Sequence, residues 1–314
     1  MEETIYKYLP NTETFEKFYN AYIAEVKNVV DDVTEKISLS QKERALYNPL
    51  PMRTLLIDDC IDKETGYNNG GARYKWSIVN FAGMINVIDS MLVIKKFVFD
   101  SCKIGAKDFC NKLRNNDIDF LSKCRSCETV FGTDDSAANR FTYKLSSDVY
   151  SMLDKKKPYI GEGFIPASIQ FMSQILAGRY VGSTPDGRKA WQPLCDSLGA
   201  IFGKDQKGPT ALLKSVTSID LNRVVGVPVL NFNIDEKWNN DILKALILSY
   251  MEMGGIQMQL TCISKELLRE AYKNPDEHKN LVVRVGGYSE YFCRLSDELR
   301  KMILNRTIQK AENI

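Results

Sequence analysis

Two stretches late in the chain, Val229 to Ile234 and Ile256 to Cys262, alternate apolar and polar residues with a period of two, and helical stretches surround them. In the first, Leu230, Phe232 and Ile234 face opposite to Asn231 and Asn233. In the second, Ile256, Met258, Leu260 and Cys262 alternate with Gln257, Gln259 and Thr261. A period of two is the pattern of a strand with unlike faces, and strands interleaved with helices predict an α/β arrangement. Leu281 to Val285 is a third strand-like run. Ser296-Asp297-Glu298 opens a last helix, with Leu299, Met302 and Ile303 inward.

The earlier half reads differently. Phe15, Phe18, Tyr22, Val26, Val29 and Val33 recur at spacings of three and four, which predicts an amphipathic helix over 12–38. A second helical stripe, Phe81, Ile85, Ile88, Leu92 and Phe97, spans 78–98 after the breaker Asn68-Asn69-Gly70-Gly71. Residues 101–156 are rich in lysine and asparagine and read as a peripheral helical layer. The division is a mainly helical part at 1–160 and a strand-rich part at 161–314, folded as one compact unit.

Composition excludes more than it selects. A net charge of +2 gives no electrostatic reason to expect nucleic acid or an acidic membrane as partner. No apolar run approaches the ~18 residues that span a bilayer, and Met1-Glu2-Glu3-Thr4 lacks the basic start of a leader, so a cytoplasmic protein is expected. One histidine, His278, leaves no multi-histidine metal site and little for a nucleophilic triad. The eight cysteines are expected to be reduced thiols. Cys124 and Cys127 form a lone Cys-x-x-Cys pair without a second pair for zinc, and Cys60 lies among Asp58, Asp59 and Asp62, which would raise its pKa. Both are read as structural. Gly203 and Gly208 have phosphate-loop spacing, but Pro209 stands where the lysine ahead of Thr210 is required and removes an amide donor, so a turn is expected.

The segment with chemical content is Arg284-Val285-Gly286-Gly287-Tyr288-Ser289-Glu290-Tyr291-Phe292. Local physics is satisfied by a strand ending in a glycine turn. Glycine chemistry admits another reading. A glycine Cα carries two hydrogens between an amide nitrogen donor and a carbonyl acceptor, so loss of one hydrogen atom leaves a planar, delocalised radical that no Cβ obstructs.

This segment resembles the C-terminal signature of the glycyl radical enzymes: arginine, valine, a small residue, glycine, tyrosine and serine, then phenylalanine and a terminal helix. Gly182-Ser183-Thr184-Pro185-Asp186-Gly187-Arg188-Lys189-Ala190 resembles the family's threonine-proline-aspartate-glycine-arginine stretch, followed by Lys207-Gly208-Pro209-Thr210-Ala211 and Leu213-Lys214-Ser215-Val216. Leu56 to Ile61, Gly70-Gly71-Ala72-Arg73-Tyr74 and Asn86-Val87-Ile88-Asp89-Ser90 resemble earlier blocks in the family's order, so the likeness runs from about 12 to 308.

The resemblance implies one half of a ten-stranded glycyl radical enzyme β/α barrel with surrounding helices and a C-terminal glycine loop, the glycyl radical domain occupying about 190–314. It implies Gly287 as the radical residue. Arg284, Val285, Gly286, Tyr288 and Ser289 would form the loop met by a radical S-adenosylmethionine activating enzyme with an iron–sulfur cluster. No bound cofactor is implied beyond the protein-derived radical. Position 286 is glycine where the family has alanine or serine, which sets a second glycine beside Gly287, and Glu290 replaces a small residue. The family's catalytic cysteine lies in an N-terminal half that has no counterpart here, and none of the eight cysteines sits in its motif.

The expected function is therefore a radical-bearing subunit of an anaerobic lyase, dehydratase or decarboxylase that acts on a small molecule together with a separate cysteine-bearing chain. Met1 falls near where the missing half would end, as a split gene would place it. The alternative is a non-catalytic accessory protein: a spare radical-bearing part for an oxygen-damaged enzyme, or a degenerate remnant.

Overall fold

The computed structural model describes residues 1–170 and 172–310. Helix α1 (Glu2–Tyr8) leads into α2 (Phe15–Tyr47), which Thr14 caps by accepting the Lys17 N–H. The buried stripe of α2 is Phe15, Phe18, Tyr19, Tyr22 and Val30; full burial of one such side chain contributes about 1.5–3 kcal/mol. The helix runs well past residue 38. Its last turns, with Leu39 and Leu46 exposed, are built from good helix formers and meet no breaker before Asn48-Pro49. Pro51 then opens α3 (Pro51–Leu56).

The expected helix over 78–98 is two elements. Strand β1 (Trp76–Asn80) comes first, and Gly83, at φ 79°, turns the chain into α4 (Met84–Ile94) and a π-helical turn. The strand escaped the pattern because it hides Ser77 and Val79 while exposing Trp76 and Ile78.

Helices α5 (Ala106–Arg114), α6 (Ile118–Arg125) and α7 (Ser136–Tyr150) occupy the lysine- and asparagine-rich region. They are not a peripheral layer. Phe109, Leu113, Cys124, Leu145 and Tyr150 lie in the main core, and the rings of Phe109 and Phe120 meet at right angles with centroids 5.1 Å apart. Their lysines lie on the outward faces, while Thr142 and Ser146 of α7 are buried with the apolar residues.

Beyond residue 160 come β2 (Gly163–Ala167), α8 (Ser173–Gly178), α9 (Pro209–Thr217), β3 (Asn231–Ile234), α10 (Asn240–Glu252) and β4 (Gln259–Cys262). Helix α11 (Lys265–Lys273), strands β5 (Val282–Arg284) and β6 (Ser289–Tyr291), helix α12 (Asp297–Asn305) and strand β7 (Ile308–Gln309) complete the order. Strands β1 and β2 are parallel, as are β4, β3 and β7 in that spatial order, while β5 and β6 form an antiparallel hairpin. A parallel bridge between Ser168 and Pro228 ties the end of β2 to the approach to β3. Parallel strands joined through helices are the α/β arrangement expected.

Leu230, Phe232 and Ile234 of the β3 run are buried in the helical core, as the alternation predicts. On β4 the expectation fails. Leu260 and Cys262 are exposed and Gln259 is buried, because the polar face of β4 meets the β5–β6 hairpin, where Gln259 accepts from Arg284 and Gly287. A second, smaller core of Leu268, Val283, Val285, Phe292, Leu299, Met302 and Ile303 seats that hairpin between α11 and α12.

Candidate functional site

The hairpin registers Val282 with Tyr291, Val283 with Glu290 and Arg284 with Ser289, and the Val285 N–H donates to the Tyr288 carbonyl at 3.0 Å. Gly286 and Gly287 are left as the two turn residues. Gly287 takes φ 88° at the second of these positions, the sign pattern of a type II turn, which glycine adopts without steric cost. Val285 and Gly286 are buried, whereas Gly287, Tyr288 and Ser289 are exposed at the tip.

Arg284 devotes its guanidinium to the turn. Its Nη2 donates to the Gly287 carbonyl at 3.1 Å, its Nη1 to Ser289 Oγ at 3.2 Å and its Nε to Gln259 Oε1 at 3.0 Å. The same Gln259 oxygen accepts the Gly287 N–H at 3.1 Å. Both amide groups flanking the Gly287 Cα are thus hydrogen-bonded to side chains, one of them from β4.

The turn end of the hairpin is held from the far end of α12. Arg306 donates to the carbonyls of Arg284 at 2.7 Å and Val285 at 2.6 Å. Asp196 receives the Arg306 Nε at 3.0 Å and Asn231 Nδ2 at 3.0 Å, so the buried guanidinium has both a counter-charge and carbonyl acceptors.

The block Thr184 to Arg188 forms a second buried polar assembly. Asp186 accepts from Asn86 Nδ2 at 2.6 Å and from the Arg188 N–H at 3.2 Å. Arg188 donates to Thr184, Lys189, Gln192, Val181 and Gly182. With its donors engaged in this way, Arg188 holds the turn together; it does not await an anion.

Five of the eight thiols are placed as structural groups. Cys60, Cys110, Cys124, Cys127 and Cys195 are buried. Burial pushes Cys124 up to about 12 and Cys110 up to about 11, and raises Cys195 well above the usual thiol range. Of the exposed pair, Cys262 is also raised, first by partial burial and then by Glu236 and Asp235. Among the described residues no three of His, Cys, Asp and Glu are grouped to hold a metal ion, and no helix is long and apolar enough to cross a membrane.

Residues 4–178 match the family model of pyruvate formate lyase-like proteins, and residues 196–293, which include the whole hairpin, match that of the glycine radical domain. The chain belongs to the glycyl radical family. Among its relatives in that family, the trans-4-hydroxy-L-proline dehydratase of Clostridioides difficile is 28% identical over 307 residues, covering 95% of this chain and 39% of the dehydratase. The probable dehydratase YbiW of Escherichia coli is 29% identical over 273 residues, covering 80% of this chain and 33% of its own. The glycerol-bound B12-independent glycerol dehydratase of Clostridium butyricum superposes with a TM-score of 0.93 at 28% identity, covering 98% of this chain and 42% of that one.

The chain therefore has the fold of part of a glycyl radical enzyme barrel, and it spans about two fifths of the length of these relatives. The half-barrel expected from the sequence is the fold observed. The hairpin gathers Arg284, Val285, Gly286, Gly287, Tyr288 and Ser289 into one loop. Sequence reasoning gave Gln259, Asp196 and Arg306 no part in supporting the hairpin. A buried glutamine in an edge strand and an arginine beyond the last helix have no local pattern to mark them.

Proposed function

We propose that Gly287 is the residue on which this chain stores an unpaired electron, and that the chain is the radical-bearing part of a lyase, dehydratase or decarboxylase. The observation that carries the reading is the setting of Gly287 in a chain of the glycyl radical family. It is a positive-φ glycine at the open tip of a hairpin, with Tyr288 and Ser289 following it and a seated base behind it.

Homolysis of one Gly287 Cα–H bond sends a hydrogen atom, with its electron, to a carbon radical generated from S-adenosylmethionine by an iron–sulfur activating enzyme. The second electron of the bond stays on Cα. In turnover, a thiol brought near the tip gives its hydrogen atom to Cα, which restores glycine and leaves a thiyl that attacks the substrate. Cys110, Cys124 and Cys195 are buried with raised pKa, and none of the eight cysteines sits in the family's catalytic motif, so the reading assigns this step to a cysteine on a separate chain. Exposed Trp76 and Ile78 on β1 suit a chain whose sheet is covered by that partner.

Within the loop, Tyr288 and Ser289 offer accessible surface to an activating enzyme. Val285 and Gly286 shape the turn from beneath, and Arg284 braces it. The substrate is a small molecule of the kind handled by dehydratase-type relatives, and the enzyme would work without oxygen in the cytoplasm.

The test is electron paramagnetic resonance on the whole chain after anoxic treatment with radical S-adenosylmethionine activating enzymes from the source organism. A glycyl doublet is expected, with turnover only when a cysteine-bearing chain is added. Absence of the doublet from the wild-type chain with every activator overturns the reading.

A further inference from the structure

We infer that Gln259 is a positioning residue for the Gly287 radical, holding and polarising the amide group on one side of Cα while Arg284 does the same on the other. The inference rests on the functional reading above. Gln259 comes from β4, far from the hairpin in sequence, and the residue is 7% exposed. Its Oε1 is shared by two donors, the Gly287 N–H at 3.1 Å and Arg284 Nε at 3.0 Å. Arg284 Nη2 then closes the circuit on the Gly287 carbonyl at 3.1 Å. One glutamine oxygen and one guanidinium thus join the N–H and the C=O that flank a single Cα.

The sense of these bonds matters. An electron on Cα is stabilised when the adjacent nitrogen gives density and the adjacent carbonyl withdraws it. A nitrogen whose N–H is donated to an acceptor becomes richer in electrons, and a carbonyl that receives a charged donor becomes poorer. Gln259 strengthens the giving side and Arg284 the withdrawing side. A bond to a guanidinium is among the stronger hydrogen bonds. The amide planes on both sides are also tied to groups outside the turn, so the π overlap that spreads the spin does not depend on the turn alone.

The test compares wild type, Gln259→Met and Gln259→Glu. Methionine keeps the length and loses the amide oxygen, whereas glutamate keeps an acceptor for both donors. Deuterium exchange at Gly287 reads the tether without any radical; at least a tenfold faster exchange is expected in Gln259→Met, with Gln259→Glu near wild type. After anoxic activation, the Gln259→Met radical is expected to show a wider α-proton splitting and at least a tenfold shorter lifetime, with Gln259→Glu restoring both. A merely structural glutamine would lower the radical yield without changing the splitting.

A wild-type doublet accompanied by the same splitting and lifetime in Gln259→Met overturns the inference and leaves the functional reading standing. No doublet from wild type sinks the functional reading and the inference with it. Should Gln259→Met fold poorly by circular dichroism, Gln259→Leu at the same position gives the same comparison, and its unchanged splitting would count equally against the inference.

Discussion

Asp196 and Arg306 meet at 2.7 Å with both side chains buried, although they lie 110 residues apart in sequence. Arg306 joins this partner to the carbonyls of Arg284 and Val285. Asp196 also holds Asn231 of β3, so the pair fixes the strand leading into the glycine turn to the sheet.

Removing one member leaves the other as an uncompensated buried charge, at a cost of about 3–5 kcal/mol. Arg306→Ala and Asp196→Ala should each lower the denaturation midpoint in urea. The double variant should lose clearly less than the sum of the two single losses. Additive losses would show that the pair is not coupled.

Gly287→Ala should abolish the radical signal after anoxic activation, while Gly286→Ala keeps a doublet. The left-handed φ at Gly287 adds a strain of about 1–2 kcal/mol for a residue with a Cβ. Thermal melts of both variants separate that strain from loss of the radical. A full-strength doublet from Gly287→Ala removes the assignment.

Burial raises the Asp89 carboxyl to about 8, and the nearby Asp186 adds to the rise, against the Phe131 N–H that it accepts at 2.8 Å. Among the described residues its second oxygen has no hydrogen-bond partner. The folded chain therefore holds this proton over a range where the unfolded chain releases it. Stability from this group is fully present below about pH 4 and is lost as pH rises through about 8. Urea midpoints at pH 5 and pH 8 should differ in wild type, and Asp89→Asn should shrink the difference. An undiminished difference in the variant would assign it to other groups.

Gly187 also sits at φ 88°, and a Cβ there would lie 2.6 Å from Arg125 Cβ and 2.7 Å from the Leu121 carbonyl oxygen. Gly187→Ala should destabilise by about 1–2 kcal/mol from the backbone and about 1–3 kcal/mol more from overpacking. Differential scanning calorimetry would register this as a lower melting temperature. An unchanged melt would mean that the Thr184–Arg188 turn yields more readily than its packing indicates.

Ile78→Lys places a charge on the exposed face of β1. Stability of the isolated chain should stay within about 0.5 kcal/mol, while capture of a cysteine-bearing partner falls at least tenfold by surface plasmon resonance. Unchanged capture would put the partner elsewhere.

What the sequence disclosed follows from what local patterns can encode. Phe232 and Ile234 alternate with asparagines and do face the helical core, and Ser296 caps α12 by accepting the Leu299 N–H at 3.3 Å, as its position before an acidic turn suggests. The half-barrel and the loop from Arg284 to Ser289 were legible through family blocks. β1 was hidden because Trp76 and Ile78 invert the usual relation between hydrophobicity and burial. Leu260 misled for a related reason: it alternates correctly, but on a strand whose polar face is the one that meets the hairpin. Gln259 and Arg306 were invisible since their partners lie 28 and 110 positions away, and nothing in a linear pattern announces such a meeting.

The clamp at Arg306 also sets an order of events. During synthesis the turn bearing Gly287 emerges before the guanidinium that steadies its base. Until the polypeptide beyond α12 has arrived, the carbonyls of Arg284 and Val285 have no guanidinium to accept from. Cleavage just ahead of residue 306 would return the turn to that unfinished condition without touching a single residue of it.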